Sequence, residues 1–150
     1  MSNVADSVAI AYFDSSALVK LVVDEVGSDL VAELWDGCDV TVSSRLAYPE
    51  VHAALAAAER NRQIDAQGLR NTQESWEMFW SAIRPVELTE TVEQHAGRLT
   101  GLHALRGADA VHLASALMIG SPDLLVVVWD RRLRAGVIAE GLAIAPAGVA

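Results

Sequence analysis

Cysteine, lysine and targeting signals are all scarce in this chain of 150 residues. A single cysteine, Cys38, excludes an internal disulfide framework and a cysteine-based zinc site. The N-terminus lacks the basic region of a signal peptide, and no uncharged stretch approaches the roughly 20 residues that cross a bilayer. From these absences we expect a protein of the cytoplasm with no membrane partner.

Positive charge is also limited. The chain has 20 acidic and 11 cationic residues, which gives a net charge of −9, and Lys20 is its only lysine. Proteins that coat duplex nucleic acid bind mainly by neutralising phosphates, so this charge argues against such a protein. If nucleic acid is the substrate, a divalent cation and local arginines must offset the acidity.

The hydrophobic residues, 52% of the chain, occur in short runs between helical patterns. The patterns predict strands at residues 8–13, 40–43, 86–88, 124–129 and 142–145, and helices at residues 16–25, 28–36, 46–62, 67–83, 91–105, 108–118 and 131–140. Alternating strands and helices are typical of a parallel sheet covered on both faces. We therefore expect one α/β domain with a short, central, mostly parallel sheet flanked by helices. Ser15 or Ser16 is expected to cap the first helix, and Gly107 to end the fifth.

Two acidic residues directly follow apolar strands, namely Asp14 and Asp130. The C-terminal ends of parallel strands share one edge of the sheet, where ligands bind, so both carboxylates can meet there. An acid after a strand also commonly caps the next helix. The pattern alone leaves both interpretations open.

Four segments together resemble the motifs of a PIN domain of the VapC toxin type. They are YFDSSALVKL at residues 12–21, LAYPEV at 46–51, GADAVHLASA at 107–116 and VWDRRL at 128–133. Their order and spacing agree with the family over nearly the whole chain.

The resemblance implies a PIN domain over residues 1–150 and an endoribonuclease that cleaves RNA with metal-activated water. The implied site residues are Asp14, Ser16, Glu50, Asp109 and Asp130. Asp14 and Asp109 would be the main metal ligands, Glu50 a ligand or water-positioning group, and Asp130 an outer or second-metal ligand, while Ser16 would hydrogen-bond within the site. An all-oxygen ligand set suits Mg²⁺, or Mn²⁺ in its place, rather than zinc.

The resemblance also implies a toxin that has an RNA substrate and a cognate VapB-type antitoxin. It further implies that the toxin forms a homodimer. We expect the anionic pocket to bind an arginine of that antitoxin. We also expect apolar surface near Trp76 or Trp80 to bind an amphipathic helix of the same partner. One departure concerns Val128, because many family members carry Thr or Ser two residues before the last acid. We therefore predict that Asp130 is less firmly oriented than Asp14.

Other interpretations of the chain remain. It could be a catalytically inactive PIN-like scaffold, or an RNA-processing PIN nuclease without an antitoxin. A phosphoacceptor receiver domain would need an acidic pair after the first strand and a late lysine, which the sequence lacks. His112, three residues after Asp109, is placed by a helix near the site and could favour metal-free cleavage, but a plain core or surface histidine is commoner. The aromatic residues Trp76, Phe79 and Trp80 are at a spacing more typical of packing than of base stacking.

Overall fold

The structure is a computed structural model that describes residues 8–147. In this range five strands form one sheet: β1 (Ile10–Phe13), β2 (Val40–Ser44), β3 (Arg84–Val86), β4 (Leu125–Val127) and β5 (Ala143–Ala145). Their spatial order is β3-β2-β1-β4-β5, and every neighbouring pair is parallel. The predicted α/β architecture is confirmed, and the sheet is wholly rather than mostly parallel.

Helices cover both faces of the sheet. Their bounds are α1 (Ser15–Val22), α2 (Ser28–Gly37), α3 (Ala47–Arg60), α4 (Ala66–Ala82), α5 (Glu90–His103), α6 (Gly107–Ile119) and α7 (Arg131–Ala139). No helix within residues 8–147 combines the length and the apolar character that a membrane span requires.

Side chains of β1 alternate between the two faces, as the pleat of a strand requires. Ala11 and Phe13 belong to the core beneath α1–α4, whereas Tyr12 belongs to the core beneath α5–α7. Both side chains are closed to bulk solvent, because Tyr12 is 1% exposed and Phe13 is not exposed at all. The central strand is therefore fixed in orientation from both sides, and so is the residue that follows it.

Two predicted boundaries were wrong for identifiable reasons. The third strand lies two residues earlier than the apolar run 86–88, because parallel pairing with β2 starts at Arg84, opposite Val42. The fifth helix ends at His103 because Ala104 adopts a left-handed conformation (φ 52°), and Gly107 begins α6 instead of ending α5.

The first helix is capped by Asp14 and not by Ser15 or Ser16. The Asp14 carboxylate accepts a hydrogen bond from the backbone N–H of Ala17 at 2.9 Å. Since β1 and β4 are neighbours in the sheet, this cap lies at the same edge as the segment that follows β4. The fold thus brings Asp14 and Asp130 to one edge, as their positions after strands predicted.

Candidate active site

A cavity of about 270 Å³, which we call the acidic pocket, lies at the C-terminal edge of the sheet. Its lining comes from four separate segments: Asp14, Ser15, Ser16, Glu50, Arg106, Ala108, Asp109, His112 and Asp130. All five predicted site residues are among them. Sequence reasoning did not assign the other four to the site, although it noted that His112 would lie near Asp109.

Asp14 is the most buried carboxylate of the acidic pocket, with 4% of its surface exposed. The turn from β1 into α1 holds it through the Ala17 N–H, and the Ser16 hydroxyl donates to its carboxylate at 2.8 Å. Burial raises the pKa of Asp14 above its ordinary value, and the charge of Glu50 adds a smaller rise that His112 and the hydrogen bonds only partly oppose. Asp14 therefore both caps a helix and carries a costly charge at the site.

Glu50 lies in the first turn of α3 and is held by two partners. The Ser15 hydroxyl donates to its Oε1 at 2.5 Å, and His112 Nε2 lies 2.7 Å from the same oxygen. Burial works to raise the pKa of Glu50, but the hydrogen bonds from His112 and Ser15 outweigh it, and the pKa is lowered. Glu50 is thus the pocket carboxylate best stabilised in its charged form.

His112 is a buried member of the pocket, and its ring is anchored on both sides. It is 3% exposed, and its Nδ1 lies 2.7 Å from the hydroxyl of Tyr12. The signal in the sequence was its position on the same helix face as Asp109, three residues earlier. Ser15 had no comparable signal, because its partner Glu50 is 35 positions away in the chain.

Asp109 and Asp130 face the pocket from the beginnings of α6 and α7. Burial raises the pKa of Asp109, and the charge of Asp130 raises it further, against smaller opposite effects of His112 and Arg106. Asp130 is exposed and caps α7, since its carboxylate accepts the N–H of Leu133 at 3.0 Å. The two carboxylates repel each other, with Arg106 as a nearby cation.

Val128 points away from the chemistry at this edge. Its side chain is fully buried in the core beneath α5–α7, and its carbonyl accepts a hydrogen bond from Arg134 at 2.7 Å. Arg134 is itself 6% exposed and also donates to the carbonyl of Pro146. Of the three arginines after Asp130, Arg134 is therefore structural, whereas Arg131 and Arg132 are exposed.

The aromatic residues of α4 have different positions. Trp76 is completely buried, so it packs in the core as its spacing predicted, and the suggested contact of Trp76 with a partner helix is wrong. Trp80 is partly exposed and borders a groove of about 450 Å³ with Arg45, Tyr48 and Pro49. The contact of Trp80 with a partner helix stays a prediction.

The donor set of the acidic pocket fits a hard divalent cation. Four carboxylates and the Ser16 hydroxyl offer oxygen ligands only, which Mg²⁺ and Mn²⁺ prefer. Within residues 8–147, however, no three His, Cys, Asp or Glu side chains stand close enough together to hold an ion as they are arranged. The pKa values of Asp14 and Asp109 are raised first by burial and to a smaller extent by neighbouring carboxylates, and a bound cation would oppose both effects.

Comparison with known proteins identifies relatives of this chain. The model of the PIN domain family matches residues 11–135. The chain is 62% identical to Ribonuclease VapC45 of Mycobacterium tuberculosis over 138 residues, which cover 92% of this chain and 96% of that protein.

Two solved structures show the same fold. One is VapC20 of Mycobacterium tuberculosis, titled a sarcin-ricin loop cleaving toxin, with a TM-score of 0.65 at 17% identity, covering 89% of this chain and 96% of that one. The other is a toxin-antitoxin complex from Klebsiella pneumoniae, with a TM-score of 0.62 at 20% identity, covering 85% of this chain and 92% of the other.

Proposed function

The chain belongs to the PIN-domain family, and we propose that it is a VapC-type endoribonuclease that cuts RNA at the acidic pocket. The observation that carries the proposal is the convergence of four carboxylates, from β1, α3, α6 and α7, on one cavity. The PIN domain itself is proposed to extend over residues 1–150, beyond the range 11–135 that the family model matches.

The carboxylates differ in environment, and we assign them different roles. Asp14 and Asp109 are the proposed principal ligands of Mg²⁺ or Mn²⁺, because both have raised pKa values that a cation would lower. Glu50 is a ligand or orients the attacking water, and Asp130, which is exposed, is an outer ligand. Ser16 holds the carboxylate of Asp14 in place at 2.8 Å.

VapC-type PIN ribonucleases generally depend on a divalent metal ion. When bound, such an ion activates water and stabilises charge on the scissile phosphate. This chain's own contribution is to place the carboxylates rigidly, since Asp14, Asp109 and Asp130 lie at the starts of three helices and Glu50 is anchored by His112 and Ser15. Arg106 lies beside them, where it can contact a phosphate.

The proposed partners are RNA and an antitoxin, because one relative is named a ribonuclease and one solved structure of the same fold is a toxin-antitoxin complex. We propose that the antitoxin is of the VapB type and presents an arginine to Asp14, Glu50 and Asp109, because a guanidinium pairs well with clustered carboxylates. Apolar contacts near Trp80 would supply further affinity.

A homodimer is proposed as well, supported by the exposure of Leu102 (71%) and Ile138 (57%) on α5 and α7. The cytoplasm is the proposed location, because the RNA substrate is found there.

The test is cleavage of RNA by the purified protein with Mg²⁺, with Mn²⁺ and with EDTA. We expect cleavage in both metals and none in EDTA, and near-complete loss in Asp14→Asn and Asp109→Asn with the fold retained by circular dichroism. Cleavage that persists in EDTA would refute the metal mechanism. No cleavage under any condition would favour the inactive scaffold.

A further inference from the structure

A chain of hydrogen bonds runs from the core of the domain to the acidic pocket. It begins at the hydroxyl of Tyr12, passes through both ring nitrogens of His112 and ends at Oε1 of Glu50, with distances of 2.7 Å at each end. Tyr12 and His112 are buried, at 1% and 3% exposure, and Glu50 is half-buried. The chain therefore connects a rigid strand to a carboxylate of the site.

The direction of each hydrogen bond follows from the end at Glu50. An ionised carboxylate only accepts, so the Ser15 hydroxyl and His112 Nε2 must both donate to Oε1. A neutral imidazole that carries its hydrogen on Nε2 has a bare Nδ1, which accepts. The partner of Nδ1 must then donate, and the phenol of Tyr12 is that donor. A tyrosine hydroxyl can donate or accept, and opposite a bare ring nitrogen at 2.7 Å it donates.

We propose that Tyr12 and His112 are positioning residues. The Tyr12 hydroxyl fixes the ring orientation and the tautomer of His112, and the Nε2–H of His112 fixes the orientation of the Glu50 carboxylate. This inference rests on the proposed function of the acidic pocket. Two donors converge on Oε1, whereas Oε2 makes no hydrogen bond with residues 8–147. One oxygen is thus occupied by the protein, and the other is left for the cation or the water.

In metal sites generally, hydrogen-bond partners of the ligands fix the orientation of those ligands. Loss of such a partner typically costs about 10–100-fold in metal affinity or activity. Here Tyr12 lies two contacts from the proposed ligand, so we expect a loss at the low end, about 10-fold. Neither Tyr12 nor His112 needs to touch RNA for this effect.

The first experiment reads the tautomer directly. We would record long-range ¹H–¹⁵N spectra of the histidine side chains in the full-length protein at a pH of about 8, above the ordinary histidine pKa of about 6.5. Loss of a signal in His112→Gln assigns His112 among the four histidines. We expect hydrogen on Nε2 and a bare Nδ1 in the wild type, and a mixture of tautomers in Tyr12→Phe. Hydrogen on Nδ1 in the wild type would overturn the proposal.

The second experiment measures Mn²⁺ affinity by calorimetry, together with kcat and KM for a short RNA. Tyr12→Phe should bind Mn²⁺ or turn over about 10-fold less well, with KM for RNA unchanged. His112→Gln keeps an N–H donor toward Glu50 and should lose less than His112→Leu. If Tyr12→Phe fails to fold, Ser15→Ala serves instead, because it removes the other donor to Oε1 from a half-buried position.

A matched control is available elsewhere in the domain. His103 Nε2 lies 2.6 Å from Glu140 Oε2, so His103→Gln disturbs the same kind of contact between α5 and the end of α7, outside the acidic pocket. It should leave Mn²⁺ affinity and kcat unchanged. Equal losses in His112→Gln, His112→Leu and His103→Gln would refute the positioning role. A wild type that neither binds Mn²⁺ nor cleaves RNA would instead refute the proposed function, while the tautomer measurement would still report on Tyr12.

Discussion

Replacing Asp14 by Asn should stabilise the metal-free protein while it abolishes cleavage. The carboxylate is 4% exposed, and its pKa is raised mainly by burial, so its ionised form is less favourable in the folded than in the unfolded chain. Asn is as good a helix cap as Asp and can still accept the N–H of Ala17. The substitution therefore removes an unfavourable charge and retains the cap.

The size of the effect follows from linkage. Each unit by which the folded pKa exceeds the unfolded pKa costs about 1.4 kcal/mol once both are ionised. The cost is absent below the unfolded value of about 3.9, grows as the pH rises through the folded pKa, and is complete above it. Because the folded pKa is raised, we expect Asp14→Asn to melt higher than wild type in EDTA at pH 7 and no higher near pH 4; in a domain of this size each 1 kcal/mol gained raises Tm by about 2–4 °C.

Metal should reverse the order of the two proteins. An ion that binds only the folded state stabilises it by RT ln(1 + [L]/Kd), or about 2.7 kcal/mol at a hundredfold excess over Kd. Wild type should gain this with Mn²⁺, and Asp14→Asn should gain less. The control is Asp65, which caps α4 by accepting the N–H of Gly68 at 2.7 Å from an exposed position outside the acidic pocket. Asp65→Asn should respond to Mn²⁺ like the wild type.

The assay is thermal melting followed by near-ultraviolet circular dichroism, in EDTA and in Mn²⁺, at both pH values. Two results would refute the reasoning. One is a lower Tm for Asp14→Asn than for wild type in EDTA at pH 7, which would mean that the charge stabilises the fold. The other is an equal response of wild type and Asp14→Asn to Mn²⁺, which would remove Asp14 from the ligands.

Three further predictions concern the end of β4. Asp130→Asn should lose less activity than Asp14→Asn, because Asp130 is exposed and the Asp14 carboxylate is buried; equal and complete loss in kcat would contradict this. Val128→Thr should lower Tm without raising kcat, because it places a hydroxyl in a dry core, at a cost of about 1–3 kcal/mol, and not in the pocket. Arg134→Met should lower the free energy of unfolding, measured in urea, by about 2–4 kcal/mol, because the carbonyls of Val128 and Pro146 lose a charged hydrogen-bond donor. Arg132→Met, at an exposed position, should change it by no more than about 0.5 kcal/mol.

The fold was largely predictable because each strand is apolar and each helix has a regular pattern. The failures occurred where long-range contacts decide. The segment 86–88 looks more like a strand than Arg84 and Pro85 do, yet pairing with β2 selects the earlier register. Ala104 adopts a left-handed conformation that favours glycine, so nothing in its identity indicates that α5 ends there.

The composition of the site was predictable only in part. Motif order indicated Asp14, Ser16, Glu50, Asp109 and Asp130, and the structure places them in one pocket, although their roles remain predictions. What the motifs could not indicate was how the carboxylates are held. The contact of Glu50 with His112 spans 62 positions of the chain and depends on how α3 and α6 meet at the sheet edge. Likewise, the sequence shows Val128 two residues before Asp130, but only the packing reveals that the Val128 side chain faces the core.

The acidity of the chain, which seemed at odds with an RNA substrate, is partly a property of the site. Four carboxylates are concentrated in the acidic pocket, and two of them have raised pKa values because they are buried near other charges. A bound divalent cation would remove part of this repulsion where the scissile phosphate must lie. Of the eleven cationic residues, Arg134 is buried and Arg45 is paired with Glu87. Arg106 lines the pocket and the exposed Arg131 and Arg132 directly follow Asp130, so we expect these three arginines to contact phosphates close to the cleavage point.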